Sequence, residues 1–539
     1  MPFVLKECAC FAPCFQEIAI IVWIVIIAKL ITLKNGSRTG FMRRIYLADS
    51  RDLFHRRDLQ KETQAQPFSG LPDSTGDGFS KHPKGASASS NTQLTQLDEA
   101  TLLSMCNPIM TSPVFDPSRH GTDVYEPLVN SLAELVIELG NETAVSLLLH
   151  FPTLINGVIR QLASPDRTIR LHCLQCINCL AANGSSLSTL FNCNILPVLK
   201  LLLDQVASDE VLDEGLLGAI LLCLQFLFDV KDEALFFTAI ETGFIATFHG
   251  ILIKPAFPMR IKHHVIYAVG NLAQHIETDE CHQLLLPIIP AVIDVMYSTT
   301  VSVIFDDCCW IYHFITSSYN LPTVASIRTH LLEQGVANHV INYLYKLPLA
   351  SCRPGLYFLR NLTYDEQTAL AIHHANSRFV PFLFNSVLVS NLKVREIIYN
   401  ILQSLSLVDL MLSVLMGHNL RKVIMQGLCT SSTKIVHSSI LIWGRLSQSP
   451  LVSLDYDVDE IRALDHGLRM SLRTSQDRTL LAGLHLIRCL IEESDGLITE
   501  HFIGLDTLTI IHDLTCSPNI ELSEMANQLL ADYFPSEPP

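Results

Sequence analysis

Asn271 and Asn361 stand in otherwise apolar runs, each four residues after an aromatic side chain: Tyr267 in the first, Tyr357 in the second. Trp310 and Phe314 repeat that spacing between them. Residues four apart share one face of a helix, so each pair forms a short ladder of side chains. A carboxamide inside an apolar helix needs a polar partner, because an unsatisfied one is costly to bury. Two kinds of partner suit it. The amide can cap or bridge neighbouring helices, or it can present a donor and an acceptor to a ligand. Trp310 carries the same ambiguity, since aromatics in apolar helices also serve as core.

Other residues invite stronger chemistry and do not support it. Cys173, Cys176 and Cys179 form a Cys-x2-Cys-x2-Cys run, but they share one helical face and lack a fourth cluster cysteine in the usual context. They read as small packing residues. The adjacent pairs His263-His264 and His373-His374 point to different faces of a helix, which argues against a shared metal. Asp306-Asp307 reads as a helix start, where carboxylates suit the dipole. No phosphate-binding glycine loop, zinc-protease motif or nucleophile elbow occurs. The expected protein is therefore not an enzyme and needs no cofactor and no metal.

The elements that would position the aromatic and amide residues repeat. Apolar helical runs fill residues 124–534, as in EGLLGAILLCLQFLF (214–228) and REIIYNILQSLSL (395–407). Aligning the last helix of each unit places Cys179, Phe226, Asn271, Phe314, Asn361, Ser404, Arg445, Cys489 and Leu530 in register, 41 to 47 residues apart. A unit before Cys179 would centre near Val136. That period predicts an all-α, armadillo/HEAT-type right-handed α-solenoid of about nine or ten repeats. Within a unit, a run such as LLPIIPAVIDVMYS (285–298) precedes a longer apolar helix at 304–318. One helical hairpin cannot cover its own apolar faces, so stacking of units must bury them. The last helices would then line a concave groove.

Composition agrees with a large packed body. The chain has 539 residues, 49% hydrophobic and 17% charged, with net charge −16. Residues 1–100 hold 12 basic and 10 acidic residues; the remainder holds 25 basic and 43 acidic. A body with that balance is a poor nucleic-acid binder and should steer basic proteins or peptides toward itself. Sixteen scattered cysteines suit a reduced compartment. Residues 1–40 form an apolar N-terminal segment in which 18–28 and 30–33 total about 16 apolar residues, fewer than the ~20 a spanning helix needs. Lys29, Lys34, Arg38, Arg43 and Arg44 follow, so an anchor at 18–33 would leave the body in the cytosol. Residues 41–100 read as a weakly basic, mostly disordered linker, and 101–539 as the solenoid.

Three consecutive segments carry a family likeness. YAVGNLA (267–273) resembles the W-A-L-G-N-I-A of importin-α armadillo repeats. DDCCWIYHFITSS (306–318) resembles D-A-C-W-A-L-S-Y-L in the next repeat, and GLYFLRNLTYDEQT (355–368) resembles the R-A-V-G-N-I-V-T-G-T-D-E-Q-T of the one after. The resemblance implies a groove that binds nuclear localisation signals. The groove asparagines, here Asn271 and Asn361, would clamp a peptide backbone. The aromatic positions, here Tyr267 and Trp310, would pack on lysine and arginine stems. Phe314 and Tyr357 complete the predicted site. The pattern is broken upstream, where Gln175 and Cys179, then Leu222 and Phe226, replace the Trp/Asn pairs of the family's main site. The resemblance also implies importin β as a partner, through the sparse basic residues Arg43, Arg44, Arg51, Arg56, Arg57 and Lys61. The function expected from it is adaptor binding of basic cargo for nuclear import, in cytoplasm and nucleus. The alternative is a membrane-anchored scaffold without signal binding.

Overall fold

The computed structural model describes residues 152–182, 187–229, 233–318, 320–347, 353–389, 391–447, 449, 458–473, 477–493 and 506–534. The apolar run at 18–33, the linker at 41–100 and the expected unit near Val136 lie outside them. The described residues contain α-helices, one 3-10 turn and no strand. The chain divides into two compact units, residues 1–198 and 199–539, with the division falling inside one helix.

In the first unit, α1 (Pro152–Gln161) packs on α2 (Arg167–Ala182), and α2 on α3 (Leu187–Asn192). Ile155, Val158, Leu174, Ile177 and Leu180 are buried in it. Cys173 and Cys176 are buried with them, and Cys179 is half-buried. Burial pushes the Cys173 thiol up to about 12 and the other two upward as well. Protonated thiols in an apolar setting are packing groups, as their helical spacing indicates.

The second unit is a run of three-helix repeats. α4 (Ile195–Ser208) carries the division, and α5 (Glu214–Leu227) follows. The next repeat is α6 (Glu233–Glu241), α7 (Phe244–Ile253) and α8 (Met259–Ala273). Then come α9 (Asp279–Leu285), α10 (Ile289–Ser298) and α11 (Ser302–Ile315), with the 3-10 turn Leu286–Ile288 before α10. α12 (Pro322–Glu333), α13 (Val336–Leu344) and α14 (Arg353–Leu362) form another. α15 (Glu366–Ala375), α16 (Phe379–Val389) and α17 (Leu392–Ser406) precede α18 (Asp409–Gly417), α19 (Leu420–Leu428) and α20 (Thr433–Ser447). Four further helices follow: α21 (Val458–Leu472), α22 (Asp477–Glu493), α23 (Asp506–Leu514) and α24 (Ile520–Tyr533).

Local chemistry sets these boundaries. Asp213, Thr278, Asp365 and Asn391 cap α5, α9, α15 and α17 by accepting a backbone N–H two or three residues into the helix. The turn between the first and second helix needs a left-handed residue. Gly243 (φ 87°) and Gly335 (φ 72°) supply it, and Asn419 (φ 62°) does so in a later repeat.

The third helices stack in order, α5 on α8, α8 on α11, α11 on α14, α14 on α17 and α17 on α20, with α22 and α24 continuing the row. Between them lie fully buried large side chains: Phe305, Tyr312, Phe358, Tyr399 and Trp443. First helices also meet across repeats. The Asp279 carboxylate accepts from the Thr323 backbone N–H (2.9 Å) and hydroxyl (2.8 Å) at the start of α12. Tyr297 donates to the Gln334 carbonyl (2.8 Å), and Tyr345, its counterpart one repeat on, to that of Arg378 (2.6 Å). These are armadillo-type repeats, each tied to the next by packing and by a few polar contacts.

Asp306-Asp307 is not a helix start. α11 begins at Ser302, which places both carboxylates in its second turn. Asp307 is buried, and its Oδ2 lies 2.7 Å from the Nε2 of His263 on α8. Burial pushes its carboxyl up, and the His263 contact acts in the opposite sense.

Candidate protein-binding face

Each stacked third helix leaves one narrow stripe uncovered, three or four residues apart along the helix. On α5 the stripe passes through Gly218, Leu222 and Phe226; on α11 through Asp306, Trp310, His313 and Phe314; on α14 through Arg353, Tyr357 and Arg360. On α17 it passes through Glu396, Asn400 and Gln403. The i, i+4 register expected for Trp310, Phe314 and Tyr357 is therefore the exposed register.

α8 departs from this rule. Every residue from Val265 to Ala273 is buried, including Tyr267 (7% exposed) and Asn271 (1%). Gly270 is buried with them, and Ile311 of α11 lies 3.6 Å from where its side chain would begin, an ordinary contact. Asn361 is likewise buried (0%). The two amides share one occupation. Asn271 Nδ2 donates to the backbone carbonyl of Gln225 on α5 (2.7 Å). Asn361 Nδ2 donates to the carbonyl of His313 on α11 (2.7 Å) and also meets His313 Nδ1 (3.0 Å) and Thr316 Oγ1 (3.2 Å). Gln225 and His313 hold equivalent places, each one residue before the register position of its own repeat. Both carbonyls lie in the last turn of a helix, where intrahelical donors run out. Each asparagine thus caps the third helix of the preceding repeat. This corrects the expectation that Tyr267, Asn271 and Asn361 present themselves to a ligand: the first is buried and the other two amides hold neighbouring repeats.

The remaining predicted residues do come together. The Trp310 ring lies 5.8 Å from Phe314, stacked, and 5.5 Å from Tyr357 on the next third helix. His313, which spacing arguments overlooked, sits 5.6 Å from Trp310, 5.3 Å from Phe314 and 5.2 Å from Tyr357. Because the Asn361 amide donates to Nδ1, that nitrogen carries no proton in the neutral ring. The Arg360 guanidinium lies 5.1 Å over Tyr357. All five side chains are half-buried. His313 was legible in principle, being three residues after Trp310 on the same stripe.

The two histidines of 263–264 serve opposite neighbours, as their positions on the helix imply. His263 meets Asp307 on α11, while His264 Nδ1 lies 3.1 Å from the Gln225 amide nitrogen on α5. Among the described residues no group of three or more ligating side chains could hold a metal.

Charge on these helices runs against the chain average. α8, α11, α14, α17 and α20 carry Arg260, Lys262, Arg353, Arg360, Lys393, Arg395, Lys434 and Arg445, against Asp306, Asp307 and Glu396. The acidic surplus of residues 101–539 lies elsewhere.

These features define an all-α, armadillo-type repeat protein whose third helices offer a half-exposed aromatic cluster. No known protein family matches the chain by sequence, and no curated protein matches it. An engineered protein of known structure superimposes with a TM-score of 0.60 over 77% of this chain and 97% of its own, at 13% identity. That likeness is one of fold. A designed armadillo repeat protein gives a TM-score of 0.41 at 14% identity, covering 46% of this chain and 99% of its own. A second, solved with the peptide (KR)4, gives 0.41 at 16% identity over 46% of this chain and 98% of its own.

Proposed function

We propose that this protein is a non-enzymatic interaction scaffold that holds an extended segment of a partner protein along its third helices. The observation that carries this reading is the cluster of Trp310, His313, Phe314 and Tyr357, half-exposed across a repeat boundary. Clustered aromatic surface left partly in water gains most from a ligand that covers it.

The finer reading follows the likeness to importin α. The segment is basic and localisation-signal-like, the work is protein import into the nucleus, and the protein resides in cytoplasm and nucleus. Aromatic faces suit lysine and arginine, packing on their stems and attracting their charged ends. With Asn271 and Asn361 engaged inside the array, the rings hold the segment rather than the amides. Importin β remains the partner proposed for the basic residues between 43 and 61. The second reading, a membrane-anchored scaffold, is favoured by the apolar run at 18–33 and keeps the same face on the cytosolic side.

Fluorescence anisotropy of a labelled basic localisation peptide against the full-length protein tests the first reading. Trp310→Ala with Tyr357→Ala should weaken binding at least about tenfold, the scale of losing one well-buried aromatic contact. Unchanged binding sinks it. For the anchor, a full-length protein released entirely by carbonate extraction removes the second reading.

A further inference from the structure

The third helices after Trp310 form a basic strip inside an acidic protein, and we propose that this strip docks an acidic segment of a partner protein. The inference goes beyond the reading above, because it adds the cations beside Tyr357 and Trp310 and commits the segment to the opposite charge. On α14 the uncovered stripe bears Arg353 and Arg360; on α17, which stacks directly on it, Lys393 and Arg395 are half-buried on the N-terminal half of the helix, beside Glu396, whose carboxylate is taken up by Lys434 and the Ser432 hydroxyl of the next repeat. The cations of neighbouring third helices are neutralised by acids within reach. Arg260 pairs with Glu214 (3.2 Å), Lys434 approaches Glu396 (3.9 Å) and Arg445 meets Asp409 (2.5 Å). Among the described residues, Arg360 and Arg395 pair with no carboxylate. Each also buries its Nε without a hydrogen bond. The Arg360 guanidinium carbon lies 5.1 Å from the centre of the Tyr357 ring, which keeps its charge beside the aromatic cluster.

A guanidinium kept beside the rings, half-desolvated and without an internal acid is suited to a carboxylate arriving from outside. The chain as a whole repels acidic proteins, with net charge −16, so a partner that docks here is chosen by local complementarity rather than long-range attraction. The strip adjoins Tyr357 and Trp310. The segment it fits therefore alternates acidic side chains with apolar ones, and its apolar residues lie on the rings.

The test titrates full-length protein with a fluorescein-labelled peptide of alternating Glu and Leu. A peptide of alternating Lys and Leu and a single-stranded DNA oligonucleotide serve as comparators. The Glu/Leu peptide should bind, weaken as salt is raised through the range where the Debye length falls below about 8 Å, and weaken about tenfold with Lys393→Glu plus Arg395→Glu. Arg360→Gln, on the other helix, should weaken it in the same direction, with folding of each variant checked by circular dichroism. Three results overturn the proposal: no binding of the Glu/Leu peptide, affinity indifferent to both sets of substitutions, or tighter binding of the Lys/Leu peptide or the oligonucleotide.

Discussion

The Asn361 amide reaches across a repeat boundary to His313, 2.7 Å from its backbone carbonyl and 3.0 Å from its ring. Asn271 makes the equivalent reach to the Gln225 carbonyl. A side chain that in a peptide-binding groove would face the ligand here finishes the helix before it. The amides hold the stack, and the aromatic rings of the same row stay half-exposed.

Replacing the amides should therefore reduce stability first. Asn271→Ala leaves the buried Gln225 carbonyl without its cross-repeat donor, a loss of about 1–3 kcal/mol. Asn361→Ala removes the same contact to His313, whose carbonyl keeps the Thr316 hydroxyl at 3.4 Å, so its loss should lie at the lower end of that range. Denaturant unfolding of the single variants checks this, with Ser404→Ala as the contrast. Ser404 donates within its own helix to Asn400 and, among the described residues, bridges to no other repeat, so its loss should be smaller. Equal losses at all three positions would remove the capping role.

Two helical glycines give opposite expectations. A methyl at Gly427 would stand 2.6 Å from the Tyr399 ring and closer still to Ser439 Oγ. Tyr399 cannot yield freely, since its hydroxyl is bonded to the Val423 carbonyl (2.6 Å). Gly427→Ala should destabilise by about 1–3 kcal/mol despite the gain in helix propensity. At Gly270 the nearest atom is 3.6 Å away, so Gly270→Ala should be neutral or stabilise by up to ~1 kcal/mol. Thermal melts of the two variants decide it.

Acid should loosen the junction between α5 and α8. His264 is pushed down to about 4, first by burial and then by His263 and Arg260 on its own helix. From α5, the Gln225 amide nitrogen lies 3.1 Å from Nδ1 and 2.9 Å from the His264 carbonyl, so a proton at Nδ1 would meet a donor. Between the ordinary histidine value of about 6.5 and about 4, the unfolded chain binds the proton and the folded one does not. Stability from this group is thus full above pH ~6.5 and falls as pH drops toward 4, by up to about 3 kcal/mol. His264→Gln should flatten the pH dependence of unfolding in that window. A slope identical to wild type would refute the assignment.

The repeat fold was legible because burial in stacked helices leaves a 3.6-residue signature in each unit, and the 41–47-residue spacing places equivalent helices in register. The same register identified Trp310, Phe314 and Tyr357 as sharing an uncovered stripe. Register does not report depth. Tyr267 and Trp310 hold equivalent positions, yet one is buried and the other is not, a difference the aligned spacing does not carry. Nor does composition report placement. The net charge of −16 pointed to a basic partner, while Arg353, Arg360, Lys393 and Arg395 make part of the third-helix face locally basic. The partner carbonyls of Asn271 and Asn361 lie 46 and 48 residues away, beyond any local pattern.

Tryptophan emission can report directly on the aromatic face. Trp443 is fully buried with Arg421 over its ring at 5.6 Å, whereas Trp310 is half-exposed and stacked on Phe314. A segment laid across Trp310 and Tyr357 excludes water from the Trp310 indole and should blue-shift its emission, while Trp443 has no solvent to lose. With the third tryptophan, Trp23, replaced by Phe throughout, the shift on adding a binding peptide should persist in Trp443→Phe and vanish in Trp310→Phe. Because Trp310 is only half-buried, Trp310→Phe should remain folded, which circular dichroism verifies. A shift that survives Trp310→Phe would place the bound segment elsewhere on the protein, and the third-helix face would no longer be the binding surface.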